Sequence, residues 1–208
     1  MPGKNLTRRE ALARSGHITV RSYAIDIDVR DALTSPTFRT ITKITFVSEG
    51  EKETFVDAIA SAVHSITLNG ESLNPKDVFA DSRISLTNLL ANNTLIVEAD
   101  FAYMNTGEGL HRFVDPVDNE VYLYSQFEVP DSRRVFAVFE QPDLKATFQF
   151  TVHAPGHWRV ISNQAAEGSE AGEGGATWFF SPTPRISSYI TAVIAGPYEQ
   201  VSDELVSS

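Results

Sequence analysis

Few residues of this chain are arranged to do chemistry. Of its five histidines, His153 and His157 bracket Ala154-Pro155-Gly156. Two metal ligands at that spacing share a face only on a helix. Pro155 and Gly156 break helices and no glutamate follows His153, so the pair reads as a turn. His17, His64 and His111 stand alone and read as structural or solvated side chains. No serine sits in a Gly-x-Ser-x-Gly elbow, which leaves an α/β-hydrolase reading without support. Gly107-Glu108-Gly109 lacks the strand-to-helix context and the Lys-Ser/Thr of a phosphate loop, and reads as a tight loop. The dense polar stretch is 124–145. On a strand, Gln126 and Glu128 project to one face and Ser125 and Phe127 to the other, with Pro130 ending the strand. A Gln and a Glu side by side at a strand end suit a cation such as an amine; a polar, solvent-facing strand edge is the simpler reading of the pattern alone. Arg133 and Arg134 read as ion-pair partners for acids such as Asp131 or Glu140.

These side chains must be carried by strands. The chain opens with a short helix: Thr7 and Glu10 fit a capping box, Ala11-Leu12-Ala13 favours helix, and Gly16 suits its C-terminal stop. So short a helix is expected to lie as an arm against something else. The period then changes to two. Tyr23, Ile25, Ile27 and Val29 alternate with Ala24, Asp26 and Asp28, the pattern of a half-buried strand. Further strands are expected at 38–46, at Ile66 and Leu68, through Leu95 to Phe101, at Val121 and Leu123, from Phe148 to Val152, and at 158–161, 176–180 and 189–194. Asn69-Gly70 predicts a type I′ hairpin, which needs positive φ at both central residues. The stretch 164–175, rich in Ala, Glu, Ser and Gly, reads as a polar flexible loop. Nothing between strands resembles a crossover helix. The fold class is all-β, a mostly antiparallel β-sandwich with a short N-terminal helix.

Composition narrows the function classes. The 208 residues include 17 Lys+Arg against 27 Asp+Glu, a formal net charge of −10. Such a surface repels a phosphate backbone and anionic lipid, so neither nucleic acid nor membrane is expected as a partner. No apolar run reaches membrane-span length, and no apolar region follows the basic N-terminal residues as a secretory signal would require. Cysteine is absent, which removes disulfides, thiolate metal sites and cysteine nucleophiles. These features favour a cytoplasmic protein.

A resemblance sharpens the reading of 124–145. Ser125-Gln126-Phe127-Glu128, Asp131-Ser132-Arg133-Arg134 and the run Phe139-Glu140-Gln141-Pro142-Asp143-Leu144-Lys145-Ala146-Thr147-Phe148 resemble the N-terminal domain of bacterial zinc aminopeptidases of the aminopeptidase N type. That family carries a Gln-x-Glu, an Asp-x-Arg-Arg, then a Phe-acid-x-Pro before a Lys-Ala-x-Phe strand. Asn69-Gly70-Glu71, Val160-Ile161-Ser162-Asn163 and the segment from Thr183 to Ile190 are similar to further family segments, so the likeness runs in order from about Arg21 to Tyr198. It implies a saddle-shaped β domain preceding a thermolysin-like catalytic domain. It also implies that Glu128 helps anchor the free α-amino group of a peptide and that Gln126 lines the pocket for its first side chain.

The departures matter as well. Where the family commonly has Pro-Cys, this chain has Ala137-Val138. Its Gly-x-Met-Glu-Asn loop and zinc-binding His-Glu-x-x-His do not occur in these residues and would be expected downstream. The expectation is therefore residues 1–16 as a helical arm, 17–200 as a β-sandwich that caps the substrate, and 201–208 as the start of a linker to a catalytic domain. No cofactor is expected in this chain, zinc is expected in the catalytic domain, and the isolated chain should be inactive. Peptide N-termini and that catalytic domain are the expected partners, and an exposed apolar patch with Glu128 at its edge should mark their meeting. The competing expectation is a stand-alone, non-enzymatic β-sandwich binding module. A sugar-binding sandwich ranks below both, because Trp158 and Trp178 sit in strand patterns that suit a core better than a sugar platform.

Overall fold

A computed structural model describes residues 5–172, 174–201 and 203–204; most of the expected linker at 201–208 lies outside the described residues. Helix α1 (Arg8–His17) is followed by β1 (Ile18–Asp28), β2 (Thr37–Ser48), β3 (Thr54–Asp57), β4 (Ala62–Leu68) and β5 (Glu71–Leu73). A one-turn helix α2 (Pro75–Val78) precedes β6 (Phe79–Ala80), β7 (Arg83–Leu86), β8 (Asn92–Ala102), β9 (Gly109–Val114) and β10 (Val121–Gln126). The chain closes with β11 (Thr147–Ala154), β12 (Arg159–Ser162), β13 (Ala166–Gly172), β14 (Gly175–Phe180) and β15 (Val193–Gly196). The fold is all-β, as the alternation predicts.

Three sheets share the core. The largest runs β13-β14-β11-β1-β2-β8-β4-β5, a second runs β12-β15-β10-β9, and a third runs β3-β7-β6. Only β1 and β11 pair in parallel among the described ladders. Their connection is no crossover helix; between them the chain runs through β2, β4, β5 and β8 of the same sheet and through β3, β6, β7, β9 and β10 of the smaller ones. The alternation in β1 buries Tyr23, Ile25 and Ile27 and turns Ala24, Asp26 and Asp28 outward. Between the large sheet and the small ones lies the buried segment 135–139. Phe136 meets Tyr23, Phe127, Phe148 and Phe150, and Phe139 meets Phe46 edge-on. Ala137 and Val138, the departure from Pro-Cys, are small apolar side chains inside this layer. The Phe139 amide donates to the Tyr23 hydroxyl at 3.1 Å, so a strand of the large sheet also satisfies the segment's backbone.

Local signals hold at both ends of the expected elements. Thr7 and Glu10 form the capping box, and Asn69 and Gly70 turn the β4–β5 hairpin at φ 54° and 88°. Three expectations need correction. Gly16 does not stop α1: the helix runs to His17, and Ile18 is already extended because β2 takes up the backbone there, with Ile18 opposite Ser48. The stretch 164–175 is no loop. Its residues Ala166–Gly172 form edge strand β13, wholly exposed and paired with β14. Ser188–Ile190 is a 3₁₀ turn, and β15 starts only at Val193. The short strands β3, β6, β7 and β9 are not among the strands expected from the sequence.

Candidate functional site

Strand β10 carries the site at its C-terminal end. Val121 and Leu123 point into the core, and Tyr122, Tyr124 and Gln126 lie on the opposite face. The strand ends at Gln126, two residues before Glu128, which sits in a turn rather than on the strand. The expectation that Pro130 ends the strand is corrected accordingly. β10 ends where its partner begins, with Gln126 opposite Gly109, the first residue of β9. Phe127 continues the inward positions, is 2% exposed and meets Phe136 edge-on at 5.9 Å between ring centroids. Burying such a ring is worth roughly 1.5–3 kcal/mol, enough to fix the chain where it leaves the sheet.

Gln126 and Glu128 are brought together across that anchor. The Gln126 side-chain Oε1 accepts from the Glu128 amide at 3.0 Å. Both side chains are exposed. Among the described residues the Glu128 carboxylate enters no ion pair, whereas its neighbours are committed. Arg134 pairs with Asp131 at 2.6 Å and Glu108 at 2.9 Å. Arg133 donates to the Pro130 carbonyl at 2.9 Å, and its backbone amide donates to Glu140 at 2.8 Å. Glu128 is the carboxylate of this turn that enters no ion pair among the described residues.

The face beside it is apolar. Register places Ile161, Ile194, Tyr124 and His111 in one row across β12, β15, β10 and β9. Tyr124 is 40% exposed, Phe113 46% and Ile161 54%. His111 stacks on Tyr124 at 4.6 Å, and Tyr198 meets Tyr122 edge-on at 5.1 Å. A cavity of about 380 Å³ opens among His111, Phe113, Asp115, Tyr122, Tyr124 and Tyr198. Gln126 is the next outward position on β10 after Tyr124, and Val129, 46% exposed, follows Glu128. So Glu128 stands where an aromatic sheet face gives way to a turn.

Behind the turn the groups are charged and buried. Glu140, 4% exposed, accepts from the Ser132 hydroxyl, the Arg133 amide and the Ser188 hydroxyl. Burial pushes its carboxyl above the ordinary carboxylate range, against the pull of those three donors. Gly109 lets β9 approach: its φ is 60°, and a Cβ there would lie 2.8 Å from the Arg134 Cβ. The second glycine of Gly107-Glu108-Gly109 thus serves close packing against the Arg134 turn.

The histidines go to separate places. His153 bonds Thr177 at 2.9 Å and Asp26 at 3.1 Å, while His157, beyond the Pro155-Gly156 turn, meets Glu120 at 3.4 Å. No three His, Asp or Glu side chains converge on a metal-sized site among the described residues. No helix among them is long and apolar enough to cross a membrane.

A family model for the peptidase M1 N-terminal domain matches residues 21–190. The chain belongs to that family. Over 203 residues this M1 N-terminal domain is 58% identical to an aminopeptidase N of Streptomyces lividans, covering 97% of the chain and 23% of that protein. It is 26% identical over 196 residues to a probable aminopeptidase 1 of Sulfurisphaera tokodaii, covering 90% of the chain and 23% of that protein. It is also 27% identical over 158 residues to a leucyl aminopeptidase of Saccharolobus solfataricus, covering 75% and 20%. The chain spans less than a quarter of the length of these relatives.

Two residues behind the site escape a reading by pattern. Glu140 reads as an ion-pair partner, yet its bonds go to neutral donors, one of them 48 residues away. Arg14 is buried despite lying on a ten-residue helix of polar character. Its spacing of four from Glu10 puts both on one helix face, and that face turns inward to Asp57 and Arg83.

Proposed function

We propose that this domain serves a metal-dependent aminopeptidase by holding the free α-amino group of a peptide at Glu128, with Gln126 beside the first side chain. The observation that carries this reading is the exposed Glu128 carboxylate, outside any described ion pair, on a turn fixed by Phe127 and by the Gln126–Glu128 hydrogen bond. An ammonium offers three donors and a positive charge, and a carboxylate accepts both. A blocked or internal amide offers neither, so such a site selects chain ends. In open solvent such a pair is worth about 0–1 kcal/mol. It strengthens when water is excluded, and the aromatic face beside Glu128 is the surface on which the catalytic part of a longer chain would close. The residues described here do not hold the zinc that the family resemblance implies, and in this reading its ligands belong to that catalytic part. The same reading takes peptide N-termini as substrates and the cytoplasm as the place of action.

The test is Glu128→Gln in the full-length aminopeptidase. The substitution keeps the shape and removes the charge. A hydrogen bond to a charged group is worth about 1.5–3 kcal/mol, so KM for a peptide with a free N-terminus should rise at least tenfold. An unchanged KM would remove Glu128 from the site.

A further inference from the structure

A carboxylate as deeply buried as Glu140 must be met by donors, and the origin of those donors decides what it holds together. Two come from the turn that follows Glu128, the Ser132 hydroxyl and the Arg133 amide. On its other side, the Glu140 backbone amide donates to Asp57 Oδ2 at 3.3 Å. The same Asp57 oxygen accepts from Arg14 at 3.0 Å. Arg14 also donates to Gln141 Oε1 at 3.1 Å and to the Glu140 carbonyl at 3.4 Å, with its guanidinium 4.6 Å above the Phe55 ring. Gln141 returns to the helix by donating to the Ala11 carbonyl at 3.0 Å. A second link runs from Asn5, just ahead of the helix: its Oδ1 accepts from Arg133 at 3.4 Å, and Arg133 donates to the Pro130 carbonyl. The first route joins α1 to the turn that carries Glu128, and the second joins to it the segment just ahead of the helix.

We propose that α1 is a positioning element of the Glu128 site, acting through the buried chain Arg14–Asp57–Glu140–Ser132/Arg133. The proposal rests on the amine-anchoring reading of Glu128. Arg14 and Glu140 do not touch the ligand; they are positioning residues. The role needs arginine, because a planar fork reaches Asp57, Gln141 and the Glu140 carbonyl together while a lysine ammonium is a single point charge. It also needs burial. Arg14, Asp57, Arg133 and Glu140 are each under 5% exposed, where hydrogen bonds are strong and costly to break, so a shift of α1 is passed on to Glu140 and from there to Ser132 and Arg133.

The test has two readouts. In the 208-residue chain, amide hydrogen exchange reports the turn at 127–135 directly. Arg14→Met keeps the apolar stem and removes the fork; exchange at Arg133 and its neighbours should rise about tenfold or more, with β1, β2 and β8 unchanged. In the full-length enzyme the same variant should raise KM for free-amine peptides about threefold to thirtyfold, with kcat within about twofold. Should Arg14→Met fail to fold, Arg14→Lys keeps the charge but not the planar fork and should give the same local exchange. Arg39→Ala, which breaks an exposed pair with Glu98 and Asp100, should move neither readout. Exchange that stays at the wild-type rate in 127–135, or rises equally in every strand, overturns the proposal. A local rise in exchange with no change in KM upholds the coupling and overturns amine anchoring at Glu128, so the two failures are distinct.

Discussion

Glu128 gains its standing from its neighbours, which are all engaged: Asp131 by Arg134, Glu140 by two hydroxyls and an amide, Gln126 by the Glu128 backbone. At this scale two substitutions test the packing that leaves Glu128 outside. Tyr23→Phe strips the buried Phe139 amide of its acceptor, which should cost about 1–3 kcal/mol in urea unfolding. Gly109→Ala forces a Cβ against Arg134 at a left-handed φ. It should destabilise by about 1–3 kcal/mol, and the thermal midpoint should fall accordingly. Gln126 and Glu128 could be singled out because their types and spacing resemble a family's Gln-x-Glu. The resemblance implies that the glutamate anchors the amine and the glutamine lines the first side-chain pocket; the role itself awaits the Glu128→Gln test. The work of Glu140 was not legible, because its acceptor sites are filled by side chains that only the fold brings near, such as Ser188.

Elements matter here by where they end. β10 stops at Gln126, opposite Gly109 where β9 begins, and that early stop puts Glu128 on a turn that the buried Phe127 ties to the core. Phe127→Ala should therefore act twice: about 3–5 kcal/mol of stability lost, read by denaturant midpoint, and the turn released from the strand. Helix α1 is too short to stand alone and is held from the side. Arg83 bonds Glu10 at 2.6 Å, and this pairing holds the Glu10 carboxyl at about 2 against an ordinary 4.5. A folded-state value below the unfolded one contributes stability above about pH 4.5 that is lost as pH falls through 2. The stability difference between wild type and Glu10→Gln should therefore be full at pH 6 and shrink toward zero near pH 2, measured by urea unfolding. A constant difference across that range would remove the ion pair as its cause. The capping box and the Asn69-Gly70 hairpin could be read from sequence, since each is complete within a few residues. β13 could not, because its pairing uses backbone groups that carry no side-chain signature.

At the scale of the whole molecule, an acidic all-β domain carries the exposed Glu128 on a turn that follows the aromatic face of β9 and β10. The all-β class was readable from the alternation; the parallel β1–β11 pair was not, because it joins segments separated by most of the chain. Exposure sets a limit on what the domain does by itself. A solvent-exposed ion pair is worth about 1 kcal/mol at most, so the isolated chain should bind a dipeptide amine no tighter than about 0.1 M in an NMR titration. Tight binding by the isolated chain would mean that the aromatic face needs no cover. The central claim is that Glu128 recognises the free amine itself. It is tested most directly by comparing a peptide-like inhibitor and its N-acetyl form on the full-length enzyme, in wild type and in Glu128→Gln. The wild type should prefer the free amine by tenfold or more, and that preference should collapse toward unity in the variant. A preference that survives the loss of the Glu128 charge would place amine recognition elsewhere and contradict the account.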